Sequence, residues 1–320
     1  MRVYRGLPIT ADGPVALTIG NFDGIHRGHQ AMLSRLVEAA EDLELPAAVL
    51  TFDPPPREFF ARDGAPPRLS SLRAKIEQFR AHGVVRTYVA RFDGRLASLA
   101  PESFIDDVLV QKLGTRWLLV GEDFRFGKGR AGDLATLRRA VRPFSVEAMR
   151  TVAIDGERAS STAVRAALAA GKLARAAALL GRPFVISGRV AHGAALGRNL
   201  GFPTANIPLV RKPPVAGIFA ARIHGLGAVP RTGVASVGVR PTISTSGTPV
   251  LEVFIFDFDD TIYGRRIGVE FLHKLRDEER YPDLDALADQ IRKDAAHARD
   301  YFDHDYAREA LTLPPPHSMK

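Results

Sequence analysis

The sequence predicts two domains of different class, a doubly wound α/β half followed by a small antiparallel β-barrel. Three observations predict this. Up to residue 181, apolar runs of strand length alternate with amphipathic helical stretches. Glycine-rich turns follow several of those runs directly, as expected where strands end at a ligand crevice. Past Gly181-Arg-Pro183 the alternation stops, and short β-rich segments with Gly/Pro turns replace it. The expected division is therefore 1–182, 183–310 and a disordered tail over 311–320, marked by Pro314–Pro316.

Taken in order, Val15–Ile19 reads as a buried strand. Gly20-Asn-Phe-Asp-Gly-Ile-His-Arg-Gly-His29 follows, and then a helix with Met32, Leu33, Leu36, Val37, Ala40 and Leu43 on one face. A strand, a Gly-rich turn and a helix start make an anion site, because free backbone N–H groups and the helix dipole favour negative charge. Gly20, Gly24 and Gly28 let the backbone turn tightly, with Phe22 and Asp23 between them. His26 and His29 bring two imidazoles to the same turn. His-x-Gly-His in this setting is the signature of nucleotidylyltransferases. There a phosphate or hydroxyl attacks the α-phosphate of a nucleoside triphosphate, and catalysis is positioning plus stabilisation of phosphoryl charge.

Ala47–Phe52 reads as a second buried strand, and Asp53-Pro-Pro-Pro56 after it as a rigid loop. Phe52, Pro54 and Pro56 are placed for a pocket wall, although a plain loop fits as well. Helix is expected over 70–83, strand over 84–90, helix over 101–113 and strand over 116–120. Gly121-Glu-Asp-Phe-Arg-Phe-Gly127, continued by Lys128, Gly129, Arg130 and Gly132, is a ligand loop or a solvated basic loop. Ser160-Ser-Thr-Ala-Val-Arg165 opens another helix, where hydroxyls, a helix N-terminus and an arginine suit a phosphate. A simple cap with a surface arginine fits it too.

In the second half, strands are expected at 184–190, 217–223, 232–237 and 251–258. Gly193, Gly197, Arg198 and Gly201 lead into Phe202-Pro-Thr-Ala-Asn206, which is either a phosphate-facing loop or a glycine-rich hairpin connection. Thr204 and Asn206 offer hard oxygen donors suited to Mg²⁺. Glu252 interrupts the apolar run Leu251–Phe256, as a general base or as an exposed edge charge. Asp257-Phe-Asp-Asp-Thr261 has the Asp-x-Asp-x-Thr form of phosphatase-like hydrolases, but it sits late in a barrel-like half, and that reading is rejected. A last helix over 284–301 carries Leu284, Leu287, Ile291 and Ala295 on the face expected to pack across the barrel.

Composition narrows the function classes. The chain has 320 residues and no cysteine, which excludes disulfides and thiolate metal sites and is compatible with a reducing compartment. No apolar run reaches the ~20 residues of a membrane span, and the N-terminus has no signal-peptide core. The formal charge of +8 comes from scattered arginines rather than a basic block. It reads as general solubility plus phosphate sites, ahead of nucleic-acid binding. The expected protein is cytoplasmic, a monomer or weak homo-oligomer, with no nucleic-acid and no membrane partner.

Gly20–His29, Thr51–Pro56, Gly121–Gly132 and Ser160–Arg165 together resemble the N-terminal half of the prokaryotic bifunctional riboflavin kinase/FAD synthetases. The resemblance implies a Rossmann-like nucleotidylyltransferase fold and FMN adenylylation: FMN plus ATP gives FAD plus pyrophosphate, with Mg²⁺. It implies that His26 and His29 stabilise the transferring phosphoryl group, with Gly20, Phe22, Asp23 and Gly28 in the nucleotide turn. It further implies that Ser161, Thr162 and Arg165 hold the β- and γ-phosphates, and that Phe52, Pro54, Pro56 and Asp123 line the flavin side. Gly201–Asn206, Gly238–Thr242, Glu252–Gly264 and Val269–Glu278 likewise resemble the riboflavin kinase module, Pro-Thr-Ala-Asn most specifically. The implied reaction is riboflavin plus MgATP giving FMN plus ADP. Glu252 is then the base, Thr204 and Asn206 bind Mg²⁺ and phosphates, Gly193 and Gly197 belong to the nucleotide loop, and Arg276 lies on the flavin side. Phe219, Ser236, Phe254 and Asp260-Thr261 depart from the usual family residues, which bears on substrate affinity and kinase rate.

Overall fold

A computed structural model describes residues 1–61, 64–139, 143–193, 201–239 and 249–306. Gly197, Arg198, Arg240–Thr242 and the expected tail over 311–320 lie outside the described residues. By packing, the chain divides into two compact units. One comprises Met1–Pro66 and Ser70–Ser160, the other Pro67–Leu69 and Ser161–Lys320.

The first unit is built on a parallel sheet of Arg2–Arg5 (β1), Val15–Ile19 (β2), Ala47–Phe52 (β3), Arg86–Ala90 (β4), Thr115–Gly121 (β5) and Ser145–Met149 (β6). Its strand order is β1-β4-β3-β2-β5-β6. The chain steps from β2 to β3 and β4 on one side, then crosses to β5 and β6 on the other. The order therefore reverses between β2 and β5, and ligands bind at such a switch point, outside the carboxyl ends of the strands.

β2 is buried on both faces, which is why it reads as an unbroken apolar run. Val15, Leu17 and Ile19 meet the π-helical turns Phe104–Lys112 through Phe104, Ile105, Val108 and Leu109. Ala16, on the opposite face, meets Arg27–Asp42 (α1) through Leu33 and Leu36. Phe79 of Leu72–Ala81 (α3, after Pro56–Ala61, α2) joins that second layer. Helices on both faces confirm the doubly wound class. Each fully buried leucine on α1 contributes about 1.5–3 kcal/mol. Leu43, expected on the buried face of α1, is 48% exposed, and Ala39 takes the position instead.

Two departures concern edges. β1 and β6 are outer strands with mostly exposed or half-buried residues, so neither makes an apolar run. Pro56, expected in a loop, is the first residue of α2, where a missing N–H costs nothing.

The second unit holds Ser161–Ala169 (α7) and Leu173–Leu180 (α8), which follow the short helices Gly94–Ala97 (α4), Pro101–Ser103 (α5) and Leu134–Arg139 (α6) of the first. Its antiparallel sheet follows a two-strand hairpin in the first unit, Ala153–Ile154 (β7) and Glu157–Arg158 (β8). The strands are Phe184–Arg189 (β9), Thr204–Pro208 (β10), Gly217–His224 (β11), Arg231–Val239 (β12), Pro249–Ile255 (β13) and Arg266–Arg276 (β14). The order is β10-β13-β12-β11-β14-β9. Ala191, just past β9, bridges to Asn206 of β10, with Ala191 N donating to Asn206 O at 2.8 Å. The sheet thus curls until its two edges meet at that seam. β10 and β14 were not among the expected strands: β10 is short and carries Thr, Asn and Pro, and β14 mixes charge into its apolar run.

Leu284–Asp300 (α9) packs across this sheet, with Ala298 and Ala295 against Ala220, Phe256 and Leu272. Leu284 is 52% exposed and lies off that face. α8 packs on β9 and β14, so by packing the break falls at Ser160/Ser161. The composition break near 183 comes later because α7 and α8 still look like the first half.

Candidate active sites

In the first unit, the turn after β2 is held from several sides. Asp23 Oδ1 accepts from Ser70 N at 3.0 Å and Ser70 Oγ at 3.2 Å, and Gly24 N donates to Ser70 Oγ at 3.0 Å. Thr51 Oγ1 and Lys75 Nζ both donate to Asn21 O, at 3.4 and 3.1 Å. Phe22 and Ile25 have φ of 48° and 42°, a left-handed backbone that this packing maintains. His26 caps α1: its Nδ1 accepts from His29 N at 3.4 Å. A ring nitrogen that accepts carries no proton, so neutral His26 has its N–H on Nε2. The His26 and His29 rings stack with centroids 3.7 Å apart, and Phe22 backs His29 at 5.0 Å. At Gly28 a Cβ would meet the His26 ring at 3.2 Å and the Ala159 carbonyl at 3.3 Å, a tight fit that glycine relieves. The first turn of α1 has no acidic residue, which leaves its N-terminus to an anion.

Burial, then His26, then Lys75 hold the His29 imidazole well below its ordinary value of 6.5. Its Nδ1 is sealed and unpartnered, which leaves Nε2 as the nitrogen open to a ligand. The lowered value has a stability consequence. In acid the unfolded chain takes up this proton near 6.5 and the folded chain does not, so stability falls as pH drops through 6.5. Thermal unfolding midpoints measured between pH 7.5 and 5 are expected to fall less steeply in His29→Gln than in the unsubstituted protein.

The other expected residues of this unit lie at strand ends. Phe52, at the end of β3, packs edge-on against Phe92 at 5.7 Å, and Phe92 also meets Phe59 and Phe60. The Asp53–Pro54 peptide is cis. Asp123, in the loop after β5, pairs with Arg158 at 2.6 Å. The turn after β2 and the loop after β5 therefore flank the switch point. Ser161, Thr162 and Arg165 open α7 in the second unit, where Arg165 Nε donates to Pro67 O at 2.6 Å.

In the second unit, strand register assembles the site. Asn206 of β10 stands opposite Glu252 of β13, and Glu252 stands opposite Ser236 of β12. Thr204 lies two residues before Asn206, on the same face. The sheet thus sets a hydroxyl, an amide and a carboxylate side by side, all hard oxygen donors. Asn206 is 6% exposed, and its Nδ2 donates to Thr204 O at 3.3 Å. A Cβ at Gly193 would lie 2.4 Å from the Asn206 amide. Gly193→Ala is therefore expected to displace Asn206 and cut activity at this site at least tenfold, about 1.4 kcal/mol, without touching the first unit. Steady-state rates of the two reactions expected from the sequence check this. A recess of about 240 Å³ beside Thr204 is lined by Val190, Pro203, Ile255, Phe258 and Tyr263 among others. His192 stacks on Tyr263 at its edge, 3.8 Å between centroids.

Family models for FAD synthetase and riboflavin kinase match residues 9–163 and 180–302. The bifunctional riboflavin kinase/FMN adenylyltransferase of Escherichia coli (strain K12) is 46% identical over 94% of this chain and 98% of its own. The chain belongs to the bifunctional riboflavin kinase/FMN adenylyltransferase family. The Pseudomonas fluorescens member is 47% identical over 88% of this chain and 91% of its own. A crystal structure described as a macrolide-efflux protein from Streptococcus pneumoniae shares the fold, with TM-score 0.77 at 26% identity over 94% of this chain and 99% of that one. No described helix here is long and apolar enough to cross a membrane.

Arg276, expected on the flavin side, is held by a carboxylate. Its Nε and a terminal nitrogen donate to both oxygens of buried Asp294 on α9, at 2.8 and 2.7 Å. A bidentate pair of that kind fixes β14 to α9. Asp257 is likewise occupied, paired with Arg299 at 2.9 Å, which agrees with setting the phosphatase-like motif aside. Phe219 is fully buried, edge-on to Phe271 at 5.2 Å, and Phe254 packs on Phe202 at 5.3 Å. These two departures from the family pattern fill apolar space. Sequence reasoning missed Ser70, Lys75 and Glu278. The Glu278 carboxylate lies over Gly238, and burial raises its pKa, with Arg276 working against the rise and Glu252 adding to it. Nothing local in the sequence marks these three, because Asp23, Asn21, Gly238 and Glu252, which they meet, are distant along the chain.

Proposed function

We propose that this chain makes FMN from riboflavin at the Glu252 site and FAD from FMN at the His26/His29 site. Family membership over nearly the whole chain supports both reactions. The observation that carries the adenylyltransferase assignment is the stacked histidine pair at the N-terminus of a 16-residue helix beside a topological switch point. In that reaction a phosphate oxygen of FMN attacks the α-phosphorus of ATP and pyrophosphate leaves. No protein atom is bonded covalently. His26 Nε2–H and His29 Nε2 are assigned to the phosphoryl oxygens on which charge grows. Gly20, Phe22, Asp23 and Gly28 shape the nucleotide turn. Ser161, Thr162 and Arg165 are assigned the outgoing phosphates, and Phe52, Pro54, Pro56 and Asp123 the flavin side.

In the kinase reaction the terminal ribityl hydroxyl attacks the γ-phosphorus of ATP and ADP leaves. Glu252 takes the hydroxyl proton, and the carboxylate opposite Asn206 carries this assignment. Mg²⁺, when bound with ATP, supplies charge neutralisation to the phosphates. The hydroxyl of Thr204 and the amide oxygen of Asn206 suit it as hard donors, and a Mg²⁺ held largely by phosphate and water needs few protein ligands. Gly193 and Gly197 are assigned to the nucleotide loop, and the recess beside Thr204 is offered for the nucleotide base. Arg276 acts on the flavin side through its hold on α9.

We assign residues 1–182 to adenylyl transfer and 183–310 to the kinase. We further propose a cytoplasmic enzyme, monomeric or weakly self-associating, that works on small molecules and not on nucleic acid. Incubation with riboflavin, ATP and Mg²⁺, followed by timed chromatography of the flavins, tests the whole assignment. FMN should appear first and FAD after it. FAD formed only from supplied FMN would remove the kinase assignment, and neither product from folded protein would remove both.

A further inference from the structure

Lys75, in the first turn of α3, is 3% exposed. Lysine is rarely buried so completely, because the ammonium loses its hydration. A methionine of similar length would fill the same space without that loss. Instead Lys75 Nζ reaches the turn after β2 and donates to Asn21 O at 3.1 Å. Two more polar atoms of that turn, Asn21 Oδ1 and His29 Nδ1, are buried with no hydrogen-bond partner. Unsatisfied atoms of this kind are costly, and a fold keeps them where another requirement prevails.

The groups around His29 define that requirement. His26 stacks on one side of the ring and Phe22 closes another. Asp23, the carboxylate of the turn, is directed to the N–H and hydroxyl of Ser70. Burial acts most strongly against a charge on His29, and His26 and then Lys75 add to it by disfavouring a further positive charge.

We infer that Lys75 is a positioning residue for adenylyl transfer, pinning the turn through the Asn21 carbonyl and setting the charge environment of His29. The inference rests on the adenylyltransferase assignment above and deepens it. His29 then meets the phosphoryl group as a neutral imidazole that hydrogen-bonds through Nε2. The fixed positive charge beneath the turn comes from Lys75. No proton changes hands at either residue.

The test uses the full chain and both of its activities. Lys75→Met is expected to lower FAD formation from FMN at least tenfold, mainly in kcat. Riboflavin phosphorylation should stay within twofold and report that the protein is folded. In NMR titrations, the His29 imidazole, identified by its loss in His29→Gln, is expected to take up its proton at higher pH in Lys75→Met. Lys75→Arg should restore the low titration and part of the rate. A Lys75→Met protein with wild-type FAD formation, or with an unchanged His29 titration, overturns the inference. Should Lys75→Met lose both activities, Lys75→Arg decides. A low His29 titration with FAD formation retained supports the inference, and a raised one despite the retained charge overturns it. A wild-type protein that makes no FAD would sink the adenylyltransferase assignment itself, while the titration still judges Lys75.

Discussion

His29→Ala is expected to abolish FAD formation from FMN while riboflavin phosphorylation continues. The imidazole stacks on His26 and rests on Phe22, so its nitrogen is held in place before substrate arrives. Loss of one preorganised donor to a phosphoryl transition state costs about 10²–10³ in kcat, roughly 2.7–4 kcal/mol. The alanine also frees the His26 ring on one side, which adds to the loss. Glu252, Asn206 and Thr204 belong to the other compact unit and should be unaffected. Separate rates for riboflavin to FMN and for FMN to FAD decide the matter. FAD formation within a few-fold of wild type would mean that His29 is not at the reacting phosphate.

The second large effect is the mirror of the first. Glu252→Gln keeps the shape of the side chain beside Asn206 and Ser236 but removes its ability to take a proton. General-base catalysis is worth about 10²–10⁴-fold, so FMN formation should fall by that factor. FAD synthesis from supplied FMN should persist. The split between kcat and KM is informative. A fall in kcat fits a base, whereas a raised KM at unchanged kcat would make Glu252 a binding group. Loss of both activities in a folded protein, for either substitution, would defeat the assignment of two separate sites.

Much of this was legible in the chain because the physics is local. β2, β3 and β5 lie inside the parallel sheet, and burial on both faces writes an apolar run that cannot be mistaken for a loop. The turn from Gly20 to His29 is a contiguous device, so its strand, glycines and histidines stand in sequence order. Edge strands were harder. β1 and β6 bury little, and β10 breaks its apolar pattern with Thr204, Asn206 and Pro208. Long-range partners left no trace at all. Lys75 reads as one charge on an amphipathic helix until the fold brings it to Asn21. Arg276 reads as a flavin-side cation, with nothing local to show that α9 presents Asp294 to it. α7 and α8 look like the first half because their composition is helical, while α8 packs against β9 and β14.

Asn206 has two duties that are chemically unrelated. Its backbone carbonyl joins the two edges of the curled sheet through Ala191, and its side chain stands opposite Glu252. On the proposed assignment, a fraying seam takes a ligand of the kinase site with it. The Ala191 amide hydrogen is thus a local clock: its exchange with deuterium measures how often the kinase site comes apart. Nucleotide bound through Asn206 should slow the clock, and flavin bound in the other unit should leave its rate alone.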